Sequence, residues 1–134
     1  LSSENSKDDF DCELFRPLEF IFTPDSRSPR PNPIPVFNQT LETHHQRIAA
    51  IALHNSVPRE ILIQFETAKN LLLYAWFVYR FYPVAEHQAL ASLELALRTR
   101  FENEMPKKKN WIPPLSALLE YAIQSKTINN EGFL

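Results

Sequence analysis

Glu86, His87, Glu94 and Arg98 share one stretch of the chain, VAEHQALASLELALRTRF after Pro83; carboxylate and imidazole are groups of acid–base chemistry, and a guanidinium beside them is a fixed positive charge. They are candidates for a polar pocket. They have a plainer account as well, because Glu94 and Arg98 stand four residues apart in the favourable order and form a helix-surface pair worth ~0.2–0.5 kcal/mol. Glu94 lies between Leu93 and Leu95, so it could also turn inward to an arginine on a neighbouring helix. Nothing in the stretch completes a catalytic set. Lys107, Lys108 and Lys109 are followed by Trp111. Such a group could touch RNA phosphates and stack a base, or be an ordinary solvated loop. Glu42-x-x-His45 occurs once, whereas a two-metal helical site needs a second copy and further carboxylates. His44, His45, His54 and His87 are therefore expected to face solvent or cap backbone groups. No metal and no cofactor is expected.

Composition narrows the chemistry further. Among 134 residues there is one glycine, Gly132. Phosphate-cradling loops, dinucleotide turns and nucleophile elbows need glycines for sharp turns and close backbone approach, so these classes are excluded. Cys12 is the single cysteine, which rules out an internal disulfide and suits a reducing compartment. A net charge of -2 gives no overall attraction to nucleic acid or anionic membrane. No apolar run has the basic flank of a signal peptide or the length of a membrane span, which needs roughly 20 residues. A soluble cytoplasmic protein is expected, with no membrane partner.

The elements that must position these groups centre on residues 61–101. Ile61, Phe65, Ala68, Leu72, Ala75 and Tyr79 recur at steps of four and three, the signature of one helical stripe. From Leu71 the stripe widens until nearly every position is apolar, which predicts a central helix surrounded by others. Tyr74, Trp76, Phe77, Tyr79 and Tyr82 then read as core, not as a base-stacking platform. Pro83 is expected to open a third helix or to kink one long helix. A fold-back would require Phe81 and Tyr82 to unwind. Leu90, Leu93, Leu97 and Phe101 are expected on one face of a helix that runs to about Glu104.

A first helix is expected from an Asn38 or Thr40 cap to about Asn55, with Leu41, Ile48, Ile51 and Ala52 inside. A fourth, carrying Leu115, Leu118, Leu119, Ala122 and Ile123, should stop near Lys126, before a turn at Asn129, Asn130 and Gly132. Residues 1–39 form a polar, proline-rich arm, disordered to about Asp11. A short extended segment should follow, then a linker with prolines at 24, 29, 31, 33 and 35. Residues 40–134 are the bundle domain. The expected fold class is an all-α bundle of about four helices with an extended arm.

The run LLLYAWFVYRFYPVAEHQALASLELALRTRF, followed by PLSALLEYAIQSKTINNEGFL, resembles a group of bacterial helical proteins similar to HEPN domains. The resemblance spans roughly residues 61–134 and contains no catalytic motif. It implies a helical bundle, often dimeric, in a superfamily that includes RNA-cleaving toxins and defence proteins. Nucleases of that kind carry Arg-x-x-x-x-His, which polarises the RNA 2'-hydroxyl and the scissile phosphate. Here no arginine has a histidine at that spacing, and none occurs after His87. Either the motif lies on a helix beyond Leu134 or this protein has no nuclease site, so no catalytic residue is assigned. Two functions follow as expectations: an RNA-associated, HEPN-like protein of bacterial defence or stress response, or a non-enzymatic module that dimerises or holds a partner protein. A homodimer is expected in both.

Overall fold

The computed structural model describes residues 10–29, 39–105 and 112–125. Expectations about residues 1–9, the prolines at 31, 33 and 35, Lys107, Lys108, Lys109, Trp111, and the turn at Asn129, Asn130 and Gly132 fall outside them. The described residues form an all-α bundle: α1 Leu41–Ala49, α2 Arg59–Tyr74, α3 Phe81–Glu104 and α4 Leu115–Gln124. One turn of 3-10 helix, Leu18–Phe20, precedes them where an extended segment was expected.

Thr40 opens α1 through a reciprocal cap. Its hydroxyl accepts from the Thr43 backbone N–H (3.2 Å), and the Thr43 hydroxyl accepts from the Thr40 N–H (2.9 Å). The helix ends at Ala49, short of the expected Asn55. Chain entering Pro58 is pushed out of the helical region, and the turn before it is tied by His54, whose Nδ1 accepts from the Ser56 N–H (3.2 Å). Ile51 and Ala52 are consequently exposed instead of inside.

Pro83 separates α2 from α3. It occupies the third position of α3, where its missing N–H would have no helical partner anyway. In one continuous helix its ring would strike the Tyr79 carbonyl, so the break has to fall in the preceding turn. Residues 75–80 accordingly form tight turns: Trp76 N–H donates to the Leu73 carbonyl (3.2 Å) and Phe81 N–H to that of Val78 (2.9 Å). Phe81 and Tyr82, expected to unwind, are instead the first residues of α3.

The two helices pack antiparallel. Gln88 Nε2 donates to the Gln64 side-chain oxygen (3.0 Å), and Ile61 shares a surface hollow with Ala96. Ala68 and Ala85 are buried in the pair, their small side chains permitting close approach. α4 closes the far end with Leu118 and Ala122 buried on Leu97, and with Phe101 and Leu119 beside them. Burial of Leu118 contributes ~1.5–3 kcal/mol. Arg98 serves this junction, donating to the Pro113 carbonyl (2.9 Å) as the chain enters α4. The α3 stripe is only half covered: Leu97 is buried, whereas Leu90 and Leu93 are exposed because α4 is short and sits on the C-terminal part of the face.

Candidate functional site

Breaking the helix at residues 75–80 releases backbone carbonyls that a continuous helix would have used, and side chains from elsewhere must satisfy them. His44, buried on α1, lies with Nε2 2.9 Å from the Leu72 carbonyl. A carbonyl only accepts, so Nε2 carries the proton there. The imidazole sits against Trp76 and Tyr82, with centroid distances of 5.5 and 6.4 Å.

The remaining donors come from the arm. The Asp25 N–H (3.0 Å) and the Ser28 hydroxyl (2.6 Å) both donate to the Trp76 carbonyl. Arg16 spreads its guanidinium between the carbonyls of Thr23 (2.6 Å), Phe20 (3.2 Å) and Phe77. The arm is thus a C-terminal cap for α2, built from a distant part of the chain.

Local turn chemistry shapes that cap. In Pro-Asp-Ser-Arg-Ser the Asp25 carboxylate accepts from the Arg27 backbone N–H (2.9 Å) while its carbonyl accepts from the Ser28 N–H (2.9 Å). Asp25 is fully buried and takes a two-pronged contact from Arg27, at 2.8 Å to each oxygen. That contact, with the backbone N–H groups of Arg27 and Tyr79, outweighs desolvation and draws the Asp25 carboxyl down to about 2.

Arg27 lies 4.1 Å over the Tyr79 ring and also reaches Glu13 (2.9 Å), which receives Arg80 at 2.5 Å. Arg80 first and Arg27 second hold the Glu13 carboxyl below its usual range. Charges of alternating sign, Asp25, Arg27, Glu13 and Arg80, therefore stitch the arm to the α2–α3 turn.

Other side chains of the arm are apolar and exposed. Leu14 is 69% exposed, Phe15 97%, Leu18 81% and Phe22 86%. Phe10 and Phe20 instead stack inward on each other (4.9 Å), with Arg16 4.4 Å over the Phe10 ring. The anchored segment presents a ridge of large side chains to solvent.

The residues singled out by sequence are distributed differently. Glu94 and Arg98 meet at 2.8 Å within α3, in the i,i+4 arrangement, not across helices. Glu86 and His87 are exposed near the start of the same helix. Among the aromatics, Trp76 is buried, Phe77, Tyr79 and Tyr82 are half-buried, and Tyr74 is exposed. Glu42 and His45 line a hollow of ≈ 520 Å³ with Tyr74 and Phe77. No group of three metal-ligating side chains occurs among the described residues.

Comparison with protein-family models, curated proteins and solved structures finds no match.

Sequence reading missed the roles of Glu13, Arg16, Asp25, Arg27 and Ser28. The Pro-Asp-Ser turn and the mixed charges of Glu13, Arg16, Asp25 and Arg27 were the available signals, in stretches expected to be a short extended segment and a linker.

Proposed function

We propose that this protein is a non-enzymatic helical interaction module of the cytoplasm, which pairs with a second copy of itself and presents its docked arm to a partner protein. The observation that carries this reading is the ridge of Leu14, Phe15, Leu18 and Phe22 on a segment held from beneath by Arg16, Asp25 and Ser28. A single exposed leucine needs no explanation. Four large apolar side chains left exposed between residues 14 and 22 of an anchored segment mark a contact surface. Each would contribute about 1.5–3 kcal/mol if fully buried against a partner. Anchoring matters as well, because a surface already ordered loses little conformational entropy on binding.

The RNA-associated, HEPN-like reading rests on the sequence resemblance and on Lys107, Lys108, Lys109 and Trp111. One experiment separates the two. A photo-crosslinking phenylalanine analogue at position 15, introduced into the protein in its native cells, is expected to give a discrete protein adduct. The adduct should fade when Arg16→Ala loosens the arm. Crosslinking no stronger than from exposed position 70 on α2, or adducts with RNA alone, would overturn the proposal.

A further inference from the structure

A groove of ≈ 190 Å³ lies on one side of the α2–α3 hairpin, lined by Phe65, Ala68 and Leu72 from α2, by Tyr82, Ala85 and Ala89 from α3, and by Ile51 from the chain that follows α1. Beside it on α3, Leu90 and Leu93 stand 57% and 45% exposed, so the apolar strip continues past the groove. Two charged side chains also line it, Lys69 on α2 and Glu86 on α3. Because the helices are antiparallel, Leu72 lies level with Tyr82 and Phe65 with Ala89. Lys69 and Glu86 therefore occupy opposite shoulders at one level. Lys69 has a loose contact with Glu66 in its own helix (3.5 Å), and Glu86 has no ion pair among the described residues.

We infer that this groove is the face on which a second copy of the chain docks, with Lys69 of each copy against Glu86 of the other. The inference deepens the reading of a self-pairing module by naming its face, and it is independent of the arm ridge. An isologous contact brings the same patch together twice. A two-fold axis lying in the contact plane and parallel to the helices sets lysine against glutamate at both shoulders. An axis across the helices would set like against like, which is disfavoured. The charge pattern therefore selects one of the two face-to-face arrangements, and Leu90 and Leu93 become covered in it.

Sedimentation of the full chain tests this with Lys69→Glu, Glu86→Lys and an equimolar mixture of the two. Wild type is expected to dimerise. Each single variant repels itself at both shoulders and should dissociate at about tenfold higher concentration or more. The mixture should associate as tightly as wild type, since every shoulder is again complementary. A defect confined to one folded chain cannot be repaired by mixing. Leu93→Glu, at an exposed position of the single chain, should also dissociate the dimer. A wild-type monomer at all concentrations would overturn both this inference and self-pairing. A wild-type dimer indifferent to these changes, or a mixture no tighter than its components, would overturn the face alone.

Discussion

Asp25 shows how much depends on single polar groups in this protein. Its carboxylate is buried, forked by Arg27 and supported by two backbone N–H groups, which takes it from 3.8 to about 2. A group whose folded value is depressed stabilises fully above its unfolded value, and that contribution is lost as pH falls through the folded one. Arm docking should therefore be intact at pH 5 and above and weaken between about pH 4 and 2. The groups facing Asp25 are Arg27, Ser28 and Tyr79, and Glu13 reinforces them through Arg27 and Arg80, with its own carboxyl shifted in the same direction. Asp25→Asn removes the charge at every pH. It is expected to collapse the amide resonances of residues 25–28 towards random-coil positions at pH 7, and unmoved resonances would refute the role given to the carboxylate. At this scale the sequence was partly legible. Histidines were expected to face solvent or cap backbone groups, and His44 does cap a carbonyl, though from a buried position. The Glu94–Arg98 pair was visible from spacing alone. Asp25 was hidden because its burial is created by residues some 50 positions away.

Among the elements, the start of α1 and the presence of a break near Pro83 were the most legible, because Thr40 and Pro83 act through local geometry that any bundle respects. The end of α2 was harder. The apolar run through residues 71–82 satisfies a helical pattern, yet Pro83 forbids the carbonyl arrangement of the turn before it, and the break moves back to Ala75. The exposure of Leu90 and Leu93 was not legible for a related reason: periodicity identifies a face but not how far the neighbouring helix extends along it. The break itself explains why the arm docks where it does. Arg16→Ala would strip donors from the Thr23, Phe20 and Phe77 carbonyls, and a loss of about 2 kcal/mol in urea unfolding is expected. Arg16→Lys should recover only part, since an ammonium cannot span the fork. A loss below about 0.5 kcal/mol for alanine would show that those carbonyls are satisfied without it.

For the molecule as a whole, the all-α class followed from four stretches of helical periodicity. No helix among the described residues is long and apolar enough to cross a membrane. Where the arm docks could not be read from the chain, because that depends on carbonyls exposed only once the hairpin has formed. Folding thus links three levels: Pro83 breaks the helix, the break exposes acceptors, and the arm that satisfies them carries Phe15 and Phe22 outward. Hydrogen exchange over residues 20–29 tests this sequence of dependence most directly. Docking predicts that the Asp25 and Ser28 amides, bonded to the Trp76 and Asp25 carbonyls, exchange far more slowly than in an unstructured peptide. It also predicts that Arg16→Ala removes their protection while α3 keeps its own. Exchange of those amides at unstructured rates in the wild-type protein would contradict the docked arm, and with it the contact surface it presents.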